Sequence, residues 1–307
     1  MSSRLAPAQA VQYAHQIYYA VKGLGTDEQA LIDVISRNTL EDLQVVSRAF
    51  CACYGREIIP WIKGDVSGNF GKLMTQFYLA RYTAWATYIH EAIAGLGTDN
   101  KVLIELVLTA DENDLAAIKA EYFRLYKEQV FEEISDDISK RADWARLLRA
   151  WMSSLRFPRN QIEQDADRLF QAGKGAGTDE RMFMEILCTT TPQEYLQIMI
   201  RFQQKYGKDL RKFYQSELSG KTEYAYLLAH DHLIHPAKAV AFTLYNAMKG
   251  LGTRDRTLVK QTVLFRDRYM KEVNTFYCQQ FGSLKADFLG DTSCWYAKTL
   301  VQVWNCQ

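Results

Sequence analysis

Four copies of the string Gly-x-Gly-Thr organise this 307-residue chain: Gly23-Leu24-Gly25-Thr26, Gly95-Leu96-Gly97-Thr98, Gly175-Ala176-Gly177-Thr178 and Gly250-Leu251-Gly252-Thr253. An acidic residue follows the first glycine of each. The offset is identical from Gly23 to Asp65, Gly95 to Asp137 and Gly175 to Glu217, and one position shorter from Gly250 to Asp291. Ser67, Ser139, Ser219 and Ser293 lie just past the acids. Gly55, Gly207 and Gly282 share a second fixed offset from their own first glycine, and Lys127 takes that place in the second copy. The stretches separating Gly23, Gly95, Gly175 and Gly250 are fold-sized, not low complexity, so the chain must fold as four related units.

Between the glycine strings the apolar period is helical. Ala30, Leu31, Val34 and Ile35, then Leu43, Val46, Ala49, Phe50 and Cys53, each fall on one helix face. With only five prolines, the chain reads as all-α. Thr26, Thr98, Thr178 and Thr253 are expected as N-caps. Asp27, Asp99 and Asp179 then fall at the first helical position, where a negative charge suits the helix dipole, and Arg254 is the exception. Thr191-Pro192-Gln193-Glu194 predicts a second kind of start, with a capping box. Gly55, Gly207 and Gly282 predict stops. The longest spacing contains Arg156-Phe157-Pro158-Arg159-Asn160, which predicts a linker between two halves of two repeats.

The composition, 48% apolar with 37 Lys and Arg against 36 Asp and Glu, supports a large buried interior. It lacks the basic field on which nucleic-acid or polybasic membrane binding depends. No window holds the ~18 apolar residues of a membrane span. The first residues carry neither an apolar signal core nor a glycine for myristoylation, so a cytosolic location is expected. Cysteines 51, 53, 188, 278, 294 and 306 form no CxxC pair and read as reduced thiols. Strings of the GxSxG, HExxH and GxGxxG types and the P-loop string are absent, so no enzyme is expected. His230-Asp231-His232 with His235 falls at a junction before Pro236 and reads as packing or solvation, not a dedicated metal site.

Glycines and a distant acid belong together if they share a cation. A helix ends in carbonyl oxygens without internal partners, and a following Gly-x-Gly can take positive φ and turn further carbonyls outward. Calcium takes about 6–8 oxygens with flexible geometry, so three carbonyls, a bidentate carboxylate and about two waters complete a site. Such a site is open to an external phosphate oxygen. Without metal the four acids repel anionic lipid, and with it the face changes sign. Leu24, Leu96 and Leu251, between the glycines, are expected to dip among lipid tails, Ala176 only feebly. Lys22, Lys174 and Lys249 are expected either to contact headgroups or to be plain solvated charges, with Ala94 in that place in the second copy. The competing reading makes each glycine pair a helix cap and each acid a solvated charge. It gives no reason for a carboxylate to recur at one exposed offset.

Lys-Gly-Leu-Gly-Thr-Asp (22–27) with Gly-Asp-Val-Ser-Gly (64–68), and Met-Lys-Gly-Leu-Gly-Thr (248–253) with Gly-Asp-Thr-Ser (290–293), resemble annexin repeats over about residues 8 to 307. The resemblance implies four repeats of five helices in a slightly curved disc. The expected boundaries are a short N-terminal tail 1–7, repeats at 8–79 and 80–155, a linker 156–160, and repeats at 161–232 and 233–307. It implies calcium-dependent, reversible binding to acidic phospholipid on the cytosolic face of membranes, with Ca2+ as the cofactor. The implied ligand sets are the carbonyls of Val21, Gly23 and Gly25 with Asp65, and of Ile93, Gly95 and Gly97 with Asp137. The others are those of Gly173, Gly175 and Gly177 with Glu217, and of Met248, Gly250 and Gly252 with Asp291. Asp136 competes with Asp137, Lys140 replaces the glycine beside the second acid, and the fourth acid comes one residue early.

The stretch before Gly23 is too short for a long regulatory tail, so no tail-bound partner is expected. Short-tailed annexins include the alpha-giardins of protists, so a cytoskeletal partner and self-association on the membrane remain within the resemblance. Two alternatives come from other classes. One is an ion pathway, for which Trp85 and Tyr88 stand where acids are usual in the family. The other is a calcium-independent helical scaffold.

Overall fold

The computed structural model describes residues 5–94, 97–174 and 177–306, and its regular structure over them is helical. The first copy folds as α1 (Pro7–Val21), α2 (Glu28–Arg37), α3 (Leu40–Tyr54), α4 (Ile58–Lys63) and α5 (Gly68–Gln76). The second supplies α6 (Arg81–Ile93), α7 (Asn100–Leu108), α8 (Glu112–Tyr126), α9 (Val130–Asp137) and α10 (Asp143–Ser153). The third supplies α11 (Ile162–Ala172), α12 (Glu180–Thr189), α13 (Pro192–Tyr206), α14 (Leu210–Glu217) and α15 (Gly220–Ile234). The fourth has α16 (Pro236–Met248), α17 (Asp255–Gln280), α18 (Leu284–Asp291) and α19 (Cys294–Val303). α17 is two helices joined across a kink at Tyr269 (φ −135°, ψ 21°), so the five-helix pattern is kept in all four copies.

Local chemistry sets these ends. Thr39 and Asp42 close a capping box at the start of α3, and the Thr191 hydroxyl accepts from the Glu194 N–H at 3.2 Å. Gly55 and Gly207 end their helices in the left-handed region at φ 64°, and Lys127 ends α8 there at φ 63°. The residue that breaks the glycine series thus keeps the glycine geometry, at the ~1–2 kcal/mol a side chain costs there. Leu31, Val34, Ile35, Leu43, Val46 and Phe50 are fully buried. Cys53, expected on the same face, is exposed. The apolar stripe of α3 instead ends in Tyr54, whose ring stacks on Tyr18.

The chain divides into two compact units, residues 1–85 with 243–307, and residues 86–242. The first copy therefore packs with the fourth, and the second with the third. In the first unit α19 packs on α2 and α5, and α17 on α5; in the second α10 packs on α7, α12 and α15. The expected linker at 156–160 does not separate units. It is tied down inside the second one, where Arg156 donates to the carbonyls of Leu187 and Thr190 at 2.6 and 2.9 Å. The Glu194 carboxylate accepts from the main-chain N–H groups of Arg159 and Asn160.

Arg81 and Asp267 form a buried ion pair in the first unit. Arg81 meets Asp267 at 2.9 Å and Glu41 at 3.2 Å, and Asp267 also accepts from the Leu40 N–H at 2.9 Å. Burial pushes the Asp267 carboxyl up, but Arg81 and Arg266 outweigh it and hold it below the usual range. In the second unit the His230-Asp231-His232 cluster is core, as expected of packing. His230 Nδ1 pairs with Tyr195 Oη at 2.7 Å, and Asp231 takes Arg211 and Lys238 at 2.9 and 3.3 Å. His232 packs edge-on against Trp151, and burial holds its imidazole neutral, down to about 3.

Candidate functional site

Each glycine string is bracketed by one main-chain bond. The N–H groups of Asp27, Asp99, Asp179 and Arg254 donate to the carbonyls of Ala20, Ala92, Ala172 and Ala247 at 2.8, 2.9, 2.8 and 2.8 Å. These four residues, not the threonines before them, are the N-caps of α2, α7, α12 and α17. In the first three, the Asp carboxylate accepts from the N–H three residues on. The expected threonine caps are thus displaced by one residue, because aspartate caps at least as well and the loop closure fixes its place.

The threonines do something else. Thr178 and Thr253 donate to the main-chain carbonyls of Glu217 and Asp291 at 3.1 and 2.8 Å, and Thr98 donates to the Asp137 carboxylate. The hydroxyl that looked like a cap ties the glycine loop to its distant acid. Asp137 is thereby distinguished from Asp136, which pairs instead with Lys140 at 3.1 Å. In the third copy the approach is closer still. A Cβ added to Gly173 would lie 2.4 Å from the Phe213 ring and 2.9 Å from Glu217 Cγ, so only glycine fits.

A stacked ring pair supports every loop. Tyr18–Tyr54, His90–Tyr126, Phe170–Tyr206 and Tyr245–Phe281 stack at centroid distances of 3.8, 3.9, 3.9 and 4.1 Å. Each joins the last turn of the helix before the loop to the end of the helix two further on. Both rings keep the same offsets from the first glycine in all four copies, a period legible in the sequence but overlooked there. Lys22, Lys174 and Lys249 lie over the rings of Tyr18, Phe170 and Tyr245 at 5.2, 5.9 and 5.3 Å. All three remain exposed to solvent, each with its ammonium near a ring face.

At the loop tips, Gly23, Gly25, Gly250 and Gly252 take φ of 127°, 88°, 110° and 84°, which turns the chain back and leaves carbonyls outside any helix. Val21, Gly23, Gly25, Met248, Gly250 and Gly252 accept no main-chain hydrogen bond through those carbonyls among the described residues. Leu24 and Leu251 project fully into solvent, at 110% of the reference exposure. Asp65, Asp137 and Asp291 are exposed and Glu217 half-buried. Burial, then Asp287, raises the Asp291 carboxyl above its ordinary value. Gly97, Gly173 and Gly177 fit the same frame, while Gly95, Leu96, Gly175 and Ala176 lie outside the described residues. No group of three or more His, Cys, Asp or Glu is gathered for a metal among the described residues, so a cation here must draw mainly on main-chain oxygen. Trp85 and Tyr88 are fully buried.

The annexin family profile matches residues 12–76, 85–150 and 164–228, well over half of the chain. Mouse annexin A8 is 30% identical over 301 residues, covering 94% of this chain and 90% of that protein. The chicken annexin V structure superposes with a TM-score of 0.87 at 27% identity, covering 97% of this chain and 96% of that one. A calcium-bound alpha-14 giardin reaches a TM-score of 0.90 over 96% of this chain at 24% identity, a likeness of fold. With its helical pattern and four framed loops, the chain belongs to the annexin family.

Proposed function

We propose that the chain binds acidic phospholipid membranes reversibly when calcium is raised, on the cytosolic face. Annexins in general are calcium-dependent phospholipid binders. The observation that carries the reading for this chain is the tether, since Thr98, Thr178 and Thr253 each hold a glycine loop against its own acid. The donor set suits a hard cation, with outward main-chain carbonyls and one carboxylate per loop. The residues that would hold Ca2+ are Val21, Gly23, Gly25 and Asp65; Ile93, Gly95, Gly97 and Asp137; Gly173, Gly175, Gly177 and Glu217; and Met248, Gly250, Gly252 and Asp291. When bound, the ion supplies positive charge and open positions for phosphate oxygens.

The chain's own residues do the rest. The stacked rings and the loop-closing bonds fix the residues that bracket each glycine string before any cation arrives. Lys22, Lys174 and Lys249 present positive charge beside it, and Leu24 and Leu251 offer apolar surface to the acyl region; Leu96 is assigned the same part from sequence. With a net charge of +1 the protein lacks the basic field that would hold it to anionic lipid unaided, and no helix among the described residues is long and apolar enough to cross a membrane. Sedimentation with phosphatidylserine-containing vesicles tests the reading. Binding should appear as calcium rises and reverse with chelator, whereas binding indifferent to calcium, or none at millimolar calcium, would refute it.

A further inference from the structure

The fourth copy departs from the other three in two independent ways, and both point towards a membrane. From the residue before the first glycine to the fifth after it, Lys22 stands against Asp27 and Glu28, Asp99 stands alone, and Lys174 stands against Asp179 and Glu180, each a net −1. In the fourth copy Lys249 and Arg254 stand against Asp255, a net +1. Arg254 occupies the N-cap place that aspartate fills elsewhere, and its N–H makes the same loop-closing bond to Ala247.

The second departure lies on the acid segment. Two residues before the acid the first three copies have Lys63, Ser135 and Gln215, and the fourth has Leu289, 56% exposed on α18. Thr253 holds this segment to the glycine loop by its 2.8 Å bond to the Asp291 carbonyl. Leu289 is two residues before that tether, and Leu251, at the tip of the tied loop, is exposed at 110% of the reference value. Isolated exposed leucines are ordinary. Two on tethered segments, beside a loop whose charge has changed sign, form a surface matched to an acidic, apolar-cored partner.

We propose that the fourth copy is the principal bilayer anchor, with Leu289 entering the interface beside Leu251 and with Arg254 and Lys249 favouring acidic headgroups. The inference rests on the calcium-dependent membrane binding proposed above and adds an order among the four loops. Its occupant is the phospholipid bilayer, argued from the local net charge and from continuity with the loop itself. Because this loop adds no net negative charge of its own, it repels an acidic surface less than the other three and adds attraction to it.

The test uses the full chain and vesicles of three parts phosphatidylcholine to one part phosphatidylserine, sedimented across a calcium titration. Leu289→Ser should raise the calcium needed for half-maximal binding by about threefold or more, given partial burial of one leucine. Arg254→Asp should raise it by about tenfold, since each basic group near an anionic surface contributes on the order of 1 kcal/mol. Ile200→Ser, which removes a comparably exposed residue on α13, should leave the midpoint unchanged, and circular dichroism should show all variants folded. Introducing the same aspartate chemistry elsewhere, as Lys22→Asp in the first loop, should shift the midpoint less than Arg254→Asp does. Wild-type calcium dependence in both fourth-copy variants would overturn the ordering while leaving the calcium bridge standing. A wild-type chain that ignores calcium would overturn both.

Discussion

Two sets of carboxylates in this molecule are treated in opposite ways. Asp267 is buried, its side chain 5% exposed, and is met by Arg81 at 2.9 Å and the Leu40 N–H at 2.9 Å. Asp65 and Asp291, by contrast, sit exposed at helix ends, beside loops whose carbonyls at Val21, Gly23, Gly25, Met248, Gly250 and Gly252 accept no main-chain hydrogen bond. A buried charge needs partners inside the fold, because desolvation otherwise costs several kcal/mol. Asp65 and Asp291 stand beside further acceptors, Asp291 with its main-chain carbonyl held by Thr253, and neither carboxylate forms an ion pair among the described residues. The first set is structure; the second waits for a cation from outside.

The largest effect should come from the buried side of this comparison. Asp267→Ala leaves Arg81 without its closest carboxylate partner and should cost about 3–5 kcal/mol in urea unfolding, with no change specific to calcium. The same group gives a pH signature. Its folded carboxyl is held below the ordinary value, so its contribution is fully present above the unfolded value of about 3.9 and is lost as pH falls through the lower folded value. Acid unfolding of the wild type should therefore steepen below about pH 4, and Asp267→Asn should flatten that limb.

A smaller effect sharpens the comparison from the backbone side. Lys127 holds the left-handed position that Gly55 and Gly207 hold elsewhere, so Lys127→Gly relieves strain at the end of α8. It should raise stability by up to about 1 kcal/mol, part of the gain being offset by the greater freedom of glycine in the unfolded chain. A loss of stability would mean that the lysine makes up its strain elsewhere, for instance through its bond from Nζ to the Arg124 carbonyl at 3.1 Å.

Much of this was readable in the chain. The glycine turns at 23–25 and 250–252 and the helical faces of Leu31, Val34, Leu43 and Val46 each correspond to observed features. What was misread has a physical cause in each case. Thr26-Asp27 and its counterparts offer two capping residues in succession, and only the closing bond to the alanine carbonyl decides between them. The pairing of first with fourth copy and second with third depends on contacts between distant segments, which spacing alone does not encode. The stretch 156–160 has a linker's composition, yet Arg156 and the N–H groups of Arg159 and Asn160 find partners on α12 and α13. The ring pairs were written in the period of Tyr18, His90, Phe170 and Tyr245, but aromatic residues on helices read first as core.

The central claim is that the four loop acids serve calcium and not the fold. The most direct measurement compares the wild type with the variant carrying Asp65→Ala, Asp137→Ala, Glu217→Ala and Asp291→Ala, in vesicle sedimentation with calcium and in urea unfolding without it. The account predicts loss of calcium-dependent binding, with stability changed by no more than the roughly 0.5 kcal/mol typical of each surface substitution. Retained calcium-dependent binding would contradict it, as would a variant that fails to bind only because it no longer folds.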